Sequence, residues 1–519
     1  MVLLSGAGGE HNEAVILAFS AEQVRAAEQP LLAAESGFGG SLMERASFAL
    51  AVRCARCLRE RRGRVAGARV LALVGSGNNG GDALHALAFL ARRGVEARAL
   101  LVSESAHAGG LEALRRAGGR AERLEDLEEA VRLVWSADLV LDALLGIGAA
   151  GALRGPAAEL VSALEQSDPR GPGDRGALVL AVDLPSGIGV DDGAVPGRVL
   201  RADRTVTFGA LKPGLLLPPA AALAGEVELV EIGLELDPAA AVLRRLEAPE
   251  LAAAWPRPSA SDHKYSRGVV GVDAGSRTYP GAAVLTVEAA ARAGAGMVRY
   301  LGPAGAEVLA RRPETVTSPG RVQSWVLGPG TADDDADRLR ASLGSALEER
   351  LPVVVDAGAL GVVGAMAERL APSVVLTPHA GELAALLGAR GASVEREQVE
   401  AEPLRWARLA HEETGATVLL KGAVTLVVGP GGVLAQSEAT PWLATAGAGD
   451  VLAGVLGTLL AGRSAELAED QDLPARLAAV AASVCGRAAR AASGGGPFLA
   501  SQVAAQVPRV LAELLGAGA

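Results

Sequence analysis

Two short loops of small residues, each ending in an aspartate, have the composition of anion-binding sites. The first spans residues 75–82 (Gly-Ser-Gly-Asn-Asn-Gly-Gly-Asp) and the second spans residues 445–450 (Thr-Ala-Gly-Ala-Gly-Asp). Each lies where an apolar run meets a stretch with helical spacing, and there glycine lets backbone N–H groups approach a phosphate. Because each loop also brings a carboxylate to that place, the sequence predicts two active sites, and two enzymes on one chain.

Two further aspartates follow apolar runs in the first half of the chain. Residues 139–141 end at Asp142, and residues 178–182 end at Asp183, shortly before Ser186. In doubly wound sheets ligands bind at the carboxyl ends of the strands, so these residues are predicted to converge with the first loop on one crevice. Taken alone, either aspartate could simply cap the next helix. The loop matches neither a dinucleotide fingerprint nor a Walker A motif, which needs a Lys-Ser/Thr pair.

The second loop, with Asp450 at its end, runs directly into an apolar helix. Its backbone N–H groups and the positive end of the helix dipole predict an anion hole. There Asp450 could deprotonate a hydroxyl that attacks a terminal phosphate, or it could merely be the helix N-cap. Lys421 in a strand-turn-strand segment, His379 in a sharp turn and Gly330 in a Gly-Pro-Gly turn favour the catalytic interpretation; His379 as a plain turn residue stays an alternative.

The chain has 519 residues, of which 50% are hydrophobic, so it is too long for one core and rich enough to fill two. Apolar runs that end in glycine or an acid alternate with helical stretches, which is the pattern of a layered α/β domain. We predict a first domain over residues 14–235, an Ala- and Pro-rich linker over 236–258 and a second domain over 259–515. Predicted strands lie at residues 70–74, 97–102, 139–141, 178–182, 205–208, 226–232, 269–272, 297–301, 322–326, 352–355, 374–376, 418–420, 425–428 and 433–435.

Charge and composition exclude several classes of partner. The net charge of −11 argues against binding a polyanion, so we expect no nucleic-acid partner. No charge-free apolar stretch is long enough for a membrane span. Three cysteines make no disulfide framework; we interpret the C-x-x-C pair Cys54 and Cys57 as buried thiols and place the chain in the reducing cytoplasm. Apolar helix faces such as residues 480–484 favour a homo-oligomer.

The motifs of the first half resemble the YjeF N-terminal family, the NAD(P)H-hydrate epimerases with a Rossmann-like three-layer fold. The matching segments are LMER at residues 42–45, GSGNNGGD at 75–82, DALLGIG at 142–148, VDLPSGIGVDDG at 182–193 and TFGALKPG at 207–214. The resemblance implies a potassium ion held by Asn79, Asp142 and Ser186, and a catalytic contact from Asp183, with Lys212 as a possible balancing charge. It also implies that the hydrated nucleotide is bound by Asn78, Asn79, Gly80, Gly81, Asp82, Gly146, Ile147, Gly148, Ala149, Ala150, Gly151, Ala152 and Asp183.

The second half resembles the YjeF C-terminal family, the ribokinase-like ADP- or ATP-dependent NAD(P)H-hydrate dehydratases. Matching segments include HKYSRG at residues 263–268, YPGAA at 279–283 and GAGMV at 294–298. The resemblance implies catalysis by Asp450, Mg²⁺ with ADP or ATP, and binding of the hydrated dinucleotide by Ala282, Gly330, His379 and Asp450. It implies an adenine-nucleotide site made of Lys421, Gly422, Ala423, Val424 and Thr425 together with residues 441–449, among them Ala446, Gly447, Ala448 and Gly449. The chain departs from the family where Thr331-Ala332 replaces the usual Leu-Gly.

Together the two resemblances imply a bifunctional metabolite-repair enzyme, an isomerase fused to a lyase. Its substrates would be NADHX and NADPHX, the forms of NADH and NADPH hydrated at C6 of the nicotinamide ring, and it would use ADP or ATP as the second substrate. Two alternatives stay open: a ribokinase-like small-molecule kinase in the second half, and a first half that acts as a ligand-binding or scaffolding module. The sequence does not distinguish ADP from ATP or NADHX from NADPHX.

Overall fold

The computed structural model describes residues 15–149, 151–169 and 176–516. The described chain divides into two compact units, one over Leu17–Val242 and one over residues 243–516 together with Val15 and Ile16. Ala14, where the first predicted domain begins, and Ala150 lie outside the described residues.

The described part of the first half contains eight strands and six α-helices. The strands are β1 (Val15–Ala18), β2 (Arg69–Val74), β3 (Glu96–Leu101), β4 (Arg120–Arg123), β5 (Leu139–Ala143), β6 (Leu178–Val182), β7 (Arg204–Phe208) and β8 (Glu226–Val230). The helices are α1 (Ala21–Ala33), α2 (Leu42–Arg62), α3 (Asn78–Ala91), α4 (Ala108–Arg116), α5 (Leu127–Trp135) and α6 (Gly155–Gln166).

Seven of these strands form a parallel sheet in the order β4-β3-β2-β5-β6-β7-β8. Its central strands are almost continuously apolar because both faces of a parallel sheet are covered by helices. One face packs on α2 and α3 through residues such as Leu50 and Leu87, and the other packs on α5 and α6 through Val134 and Leu160. This arrangement confirms the predicted three-layer α/β fold. The sequence missed β4, which is an exposed edge strand of charged residues.

The second unit contains nine strands and eleven helices among the described residues. The strands are β9 (Leu243–Leu246), β10 (Val269–Asp273), β11 (Met297–Tyr300), β12 (Ser324–Leu327), β13 (Val353–Val355), β14 (Val374–Leu376), β15 (Thr417–Leu420), β16 (Thr425–Gly429) and β17 (Gly432–Gln436). The helices are α7 (Ala248–Ala254), α8 (Pro280–Arg292), α9 (Gly305–Arg311), α10 (Ala336–Glu348), α11 (Gly358–Gly364), α12 (Ala380–Ala389), α13 (Arg396–Ala401), α14 (Pro403–Thr414), α15 (Ala448–Gly462), α16 (Leu473–Ser493) and α17 (Ala500–Gly516).

Together with β1, whose first residues belong to this unit, these strands form a ten-stranded sheet in the order β1-β9-β17-β16-β15-β14-β13-β12-β10-β11. Strands β10 to β15 pair in parallel, whereas β16 is antiparallel to both β15 and β17. Helices α8, α15, α16 and α17 contribute to one large core. The parallel strands place their carboxyl ends along one edge, where Asp356, Pro378 and Lys421 follow β13, β14 and β15.

Two expectations about this unit need correction. The predicted linker, residues 236–258, contains β9 and α7; β9 pairs with β17, and Leu246, Leu251 and Trp255 are buried in the core. Its Ala- and Pro-rich composition concealed these few anchoring side chains. The apolar face at residues 480–484 also does not offer a surface for assembly, because Val480 and Val484 are fully buried within the unit.

The remaining structural expectations concern the cysteines and the membrane. Cys54, Cys57 and Cys485 are free thiols in buried positions, as the sequence predicted for the C-x-x-C pair. Burial raises the pKa of the Cys54 thiol well above its ordinary value, which makes it a poor nucleophile. Among the helices described, none has both the length and the apolar character that crossing a bilayer requires.

Candidate active sites

A cavity of about 880 Å³ opens at the carboxyl ends of the strands in the first unit. Helices α1 and α2, the start of α3, and the loops after β5, β6 and β7 all contribute to its wall. The lining includes Glu28, Phe38, Met43, Asn78, Asn79, Asp82, Leu145, Gly146, Ile147, Gly148, Ala149, Asp183, Phe208 and Lys212. The predicted convergence of the glycine loop and Asp183 on one crevice is therefore present.

The glycine loop is shaped by close backbone packing. A Cβ at Gly75 would overlap the carbonyl of Leu144, and one at Gly80 would overlap the carbonyl of Gly75. Helix α3 starts directly after this turn, with Gly77 as an N-cap that makes no side-chain hydrogen bond. Its first-turn N–H groups have no acceptors within the helix, which makes them available to an anion.

Asp183 adopts a left-handed backbone conformation, with φ of 68°, directly after β6. This conformation is unusual for a residue with a side chain and costs free energy that the surroundings must offset. Its Oδ1 accepts hydrogen bonds from Lys212 Nζ at 2.6 Å, Thr207 Oγ1 at 3.0 Å and the N–H of Phe208 at 3.3 Å. The carboxylate is therefore fixed in orientation at the cavity wall.

Lys212 is a buried cation in the wall of this cavity, and its side chain is only 1% exposed. Its Nζ donates to Asp183, to Thr207 Oγ1 at 3.0 Å and to the carbonyl of Phe208 at 2.9 Å. A buried ammonium group is costly unless it is paired and hydrogen-bonded, and here it is both. Lys212, which the resemblance suggested as a balancing charge, is thus paired with Asp183.

Two more carboxyl groups reach the same cavity. Burial and the negative charge of Asp183 raise the pKa of Asp82 well above its ordinary value, although a hydrogen bond from Ser47 lowers it. Burial also raises the pKa of Glu28, with Lys212 opposing and Asp183 adding to that shift. Sequence reasoning missed Glu28, because a single acid on an amphipathic helix carries no signal of function.

Asn79, Asp142 and Ser186 form one hydrogen-bonded cluster around the backbone of Leu145. Ser186 donates from its hydroxyl to Asp142 Oδ1 at 2.6 Å and from its N–H to Asp142 Oδ2 at 2.8 Å. Asn79 Nδ2 donates to the Leu145 carbonyl at 2.7 Å, and the N–H of Leu145 donates to Ser186 Oγ at 2.9 Å. Asp142 is fully buried, and this burial raises its pKa.

The side chains of this cluster carry carboxylate, hydroxyl and amide oxygens and no sulfur. Within the described ranges no three His, Cys, Asp or Glu side chains are grouped to hold a metal. A cation here would rely on a carboxylate, a hydroxyl and amide oxygens, which suit a hard ion such as potassium. The donor chemistry therefore fits the predicted ligands.

Several predicted nucleotide contacts lie away from the cavity wall. Gly80 and Gly81 are buried inside the first turn of α3, and Ala152 packs against Gly197. Gly80, Gly81, Gly151 and Ala152 are absent from the described lining of the cavity. Ala150 falls on a position that the structure leaves undescribed.

In the second unit a cavity of about 440 Å³ lies beside the start of α15. Its lining consists of Thr278, Tyr279, Pro280, Gly281, Ala282, Leu285, Gly330, Ala446, Gly447 and Asp450. Three of the four residues predicted to bind the hydrated dinucleotide, Ala282, Gly330 and Asp450, are thus brought together. The fourth, His379, lies at the start of α12.

Gly330 has a φ of 62°, and a Cβ at this position would overlap the Cβ of Ala282. Both its backbone conformation and the available space therefore require glycine. The neighbouring Thr331 donates from its hydroxyl to the carbonyl of Gly328 at 2.7 Å, which closes the turn. This hydrogen bond is a local consequence of the departure from the usual Leu-Gly.

The start of α15 corrects one interpretation of Asp450. The N-cap is Gly447, with φ of 88°, whereas Asp450 occupies the third position of the helix. The capping role considered for Asp450 is therefore wrong. The N–H groups of Gly449 and Asp450 belong to the first turn, which has no intrahelical acceptors, so the predicted anion hole has the required backbone.

Asp450 is a half-buried carboxyl whose pKa is raised to about 6, first by burial, then by the charge of Asp356, with Lys421 acting against both. A carboxyl group with this pKa is largely ionised at neutral pH and is a stronger base than an ordinary aspartate. That property matches the predicted role in proton removal.

Lys421 lies between two acids at the carboxyl edge of the sheet. Its Nζ is 2.8 Å from Asp356 Oδ1 and 3.5 Å from Glu382 Oε2. Burial disfavours the ammonium form, but these two acids outweigh it and raise the pKa of Lys421. Thr377 Oγ1 donates to the same Asp356 oxygen at 2.9 Å.

Sequence reasoning missed Asp356, although a signal was available. Asp356 follows the apolar strand β13, in the same way that Asp183 follows β6. Applying the strand-end rule equally to both halves would have identified it.

His379 is the N-cap of α12. Its Nδ1 accepts a hydrogen bond from the N–H of Glu382 at 3.1 Å, and Glu382 Oε2 accepts one from the N–H of His379 at 2.8 Å. Glu382 in turn approaches Lys421, so His379 and Lys421 share one acidic neighbour. The nucleotide-binding segment that begins at Lys421 forms the turn between β15 and β16, and Gly422 and Ala423 are exposed there.

Comparisons with known proteins match each unit to a family. The family described as YjeF-related protein N-terminus matches residues 39–214, and the family described as NAD(P)H-hydrate dehydratase matches residues 270–507. The chain is similar to the bifunctional NAD(P)H-hydrate repair enzyme Nnr of Mycobacterium tuberculosis, with 46% identity over 454 residues, 85% of this chain and 89% of the relative. It is also similar to the enzyme of that name from Corynebacterium glutamicum, with 34% identity over 86% of this chain and 89% of the relative.

Among solved structures, the second unit is similar to an ADP/ATP-dependent NAD(P)H-hydrate dehydratase from Bacillus subtilis co-crystallised with ATP and Mg²⁺. The identity is 23% and the TM-score 0.45, covering 52% of this chain and 97% of that one. The resemblance that both halves showed at the level of motifs is confirmed by the family matches.

Proposed function

This chain belongs to the family of bifunctional NAD(P)H-hydrate repair enzymes. From the two cavities we infer which unit carries each activity. The first unit interconverts the R and S forms of hydrated NAD(P)H, and the second unit dehydrates the S form to NAD(P)H. Dehydration of one stereoisomer alone would leave the other unrepaired, so the two activities complement each other.

One observation supports this division above all others. Each unit has its own cavity at the carboxyl edge of a sheet, and beside each cavity a lysine is paired with a strand-end aspartate. These pairs are Lys212 with Asp183 at 2.6 Å and Lys421 with Asp356 at 2.8 Å. Buried or half-buried charged groups that are held in ion pairs beside a cavity are typical of catalytic sites.

For the first unit we propose that Asp183 accepts the proton of the water that adds at C6 of the hydrated ring. The C6 hydroxyl leaves as water once it is protonated, and the lone pair of the ring nitrogen forms an iminium with C6. A water molecule then adds to the other face of C6, and Asp183 accepts the proton that it releases. Lys212 balances the charge of Asp183 and holds its carboxylate toward the cavity.

The nucleotide is proposed to lie along the glycine loop, on Asn78, Asn79, Asp82 and the segment from Gly146 to Ala149. Asn79, Asp142 and Ser186 would hold the potassium ion, since Asn79 and Ser186 both hydrogen-bond to the backbone of Leu145 and Ser186 donates to Asp142. When bound, the ion would supply a positive charge beside the phosphate-binding loop.

For the second unit we propose that the oxygen of the C6 hydroxyl attacks the terminal phosphorus of ADP or ATP while Asp450 accepts the hydroxyl proton. The bond from that phosphorus to the bridging oxygen breaks, and AMP or ADP leaves. The phosphorylated oxygen then departs from C6 as inorganic phosphate, driven by the ring nitrogen lone pair. The departing phosphate takes a proton from C5, which completes NAD(P)H.

The residues around Asp450 suit the remaining tasks. The N–H groups at the start of α15, from Ala446 to Gly449, would bind the phosphate being transferred, and Lys421 would balance its negative charge. Ala282, Gly330 and His379 are proposed to hold the hydrated ring and its nucleotide. Mg²⁺ would enter with the nucleotide phosphates, in keeping with the oxygen ligands that it prefers.

The remaining proposals concern the setting of the enzyme. We place it in the cytoplasm, where a reducing environment keeps Cys54, Cys57 and Cys485 as thiols. Its partners are small molecules. A homo-oligomer stays a prediction, now without the support of residues 480–484.

The fate of the phosphate separates this proposal from a kinase. Purified enzyme is incubated with S-NADHX, Mg²⁺ and either ADP or ATP, and NADH, nucleotide and inorganic phosphate are quantified. We expect one phosphate released for each NADH formed. A phosphorylated product that persists, with no free phosphate, would support the kinase instead. Asp337→Asn, a change at an exposed position of α10, provides a control preparation that keeps full activity.

A further inference from the structure

Glu28 is a carboxyl group of the first cavity to which the account above gives no role. It lies on α1 and lines the cavity together with Asp183 and Lys212. Its side chain is half-buried, and in the part of the chain that the structure describes it makes no hydrogen bond and no ion pair within 4.0 Å. A half-buried acid without a structural partner, facing a substrate-sized cavity, calls for a chemical explanation.

The charges around Glu28 distinguish it from Asp183. Burial raises the pKa of Glu28; Lys212 and Arg25 act against that shift, and Asp183 adds to it. Asp183 is held by three hydrogen bonds, including one from the ammonium group of Lys212. Glu28 is thus a carboxyl whose pKa is raised by burial, whereas Asp183 is paired with a cation, and such a difference in surroundings is how acid and base roles are separated.

We propose that Glu28 is the second acid–base residue of the epimerase cavity, the group that protonates the departing C6 hydroxyl while Asp183 receives the proton of the incoming water. This assignment rests on the proposed epimerase function of the first unit. The assignment of Glu28 supplies the missing proton donor, because epimerisation needs both a proton donor and a proton acceptor at the same carbon.

The proton balance closes over one turnover. Protonated Glu28 gives its proton to the C6 hydroxyl, the C6–O bond breaks, and water leaves as the ring nitrogen forms the iminium. When water adds to the other face, the new C6–O bond forms and Asp183 takes one proton. Transfer of that proton from Asp183 to Glu28 through cavity water restores both groups, and the reverse reaction uses the same steps.

Asp82 is the competing candidate for the donor. It is the fifth residue of α3, accepts a hydrogen bond from Ser47 at 3.4 Å and has a raised pKa. The resemblance assigns it to binding of the nucleotide, and its place beside Asn78 and Asn79 agrees with that role. Glu28 lacks any such partner, so we favour it as the donor and include Asp82 as a comparison in the test.

The test follows R/S equilibration of NADHX without ADP or ATP, so that dehydration cannot remove the S form. Stereoisomers are separated by chromatography, and the enzyme-free rate is subtracted. We expect Glu28→Gln to lower kcat about 100-fold with KM within about threefold, and Glu28→Asp to recover part of the rate. Glu22→Gln, at an exposed acid of the same helix, keeps the wild-type rate. Asp82→Asn raises KM more than it lowers kcat.

A pH profile provides a second readout that a purely structural role would not change. With Glu28 as the acid, the wild-type rate falls as pH rises through the pKa of Glu28. This high-pH limb of the profile, the decrease in rate, is absent in Glu28→Gln. Dehydration of S-NADHX by Glu28→Gln with ADP stays at the wild-type level, as expected of a change confined to the first unit, and an unchanged denaturant-unfolding transition shows that the first unit has folded. Should the glutamine variant fail to fold, Glu28→Asp must still show a displaced limb.

The outcomes separate the two proposals. If wild-type protein does not equilibrate R and S, the epimerase function itself fails. If wild type equilibrates them and Glu28→Gln does so within about twofold of that rate, or loses rate through KM alone, only the role of Glu28 is overturned.

Discussion

Lys421 and Asp356 form an ion pair, with Nζ 2.8 Å from Oδ1, directly against the start of α15. A Cβ built on Gly449 would lie 3.4 Å from Lys421 Nζ and 3.7 Å from Asp356 Oδ2, so the pair packs onto the helix turn that carries Asp450. The negative member raises the pKa of Asp450 and the positive member lowers it. The pair therefore adjusts the basicity of Asp450 while placing an ammonium group beside the anion hole.

The first prediction concerns the pH dependence of dehydration. Asp450 must be ionised to accept a proton, and its pKa is about 6, so kcat should fall about tenfold per pH unit below that value. Asp356→Asn removes a neighbouring negative charge, which lowers the pKa of Asp450 and moves the midpoint to lower pH. Initial rates with saturating S-NADHX and nucleotide between pH 5 and about 8 measure both curves. An unchanged midpoint in Asp356→Asn would contradict the coupling.

A second prediction concerns Lys212. Lys212→Met leaves the Asp183 carboxylate without its buried ammonium partner, which costs about 3–5 kcal/mol of folding free energy when one member of such a pair is removed. Epimerisation should be lost, since Asp183 is no longer oriented. Denaturant unfolding and R/S equilibration test the two effects. Arg116→Met, at an exposed position of α4, should change neither; equal losses in both variants would refute a specific role for Lys212.

Much of this arrangement was predictable from the sequence, because local signals carried it. Apolar runs ending in an acid or glycine predicted the parallel strands, and the carboxyl-edge rule predicted that Asp183 and the glycine loop share one cavity, whereas Asp142 is fully buried behind the cavity lining. The features that the sequence did not predict are those that no local sequence pattern indicates. Glu28 is one acid on a helix, and β9 is a short Leu-Arg-Arg-Leu segment whose strand character comes from pairing with β17. Tertiary contact, rather than propensity, decided both.

Asp450 shows a different limit of sequence reasoning. An aspartate at the start of a helix matches both an N-cap and a base, and only the coordinates place Gly447 at the cap instead. Likewise, the apolar pattern of residues 480–484 cannot distinguish a face that packs inside the unit from one that packs on another copy. Composition indicates that these residues prefer to be buried, but it does not show which surface buries them.

A third prediction compares two glycines of the second unit. Gly330→Ala introduces a Cβ that overlaps Ala282 at a backbone φ of 62°, so the turn must shift. We expect dehydratase KM for S-NADHX to rise about tenfold or more, equivalent to about 1.4 kcal/mol of binding free energy. Gly344→Ala in α10, where a Cβ meets open space, should leave KM unchanged and raise stability by about 0.5–1 kcal/mol. Similar KM values in both variants would contradict the proposed contact.

A fourth prediction concerns potassium. If Asn79, Asp142 and Ser186 hold the ion, replacing potassium chloride by choline chloride at constant ionic strength should slow R/S equilibration, whereas dehydration of pure S-NADHX should not change. Ser186→Ala removes one oxygen and should reduce the response to potassium. Titration of equilibration rate against potassium concentration measures this response. Identical titration curves for wild type and Ser186→Ala would place the ion elsewhere.

The central claim, two repair activities in two separate cavities, is tested most directly by absorbance at 340 nm as NADH is regenerated from an R/S mixture of NADHX with ADP or ATP and Mg²⁺. Wild type should recover the whole mixture, Asp450→Asn should recover none, and Asp183→Asn should recover only the S fraction rapidly. No recovery by wild type with either nucleotide, or full recovery by Asp183→Asn at the wild-type rate, would contradict the account.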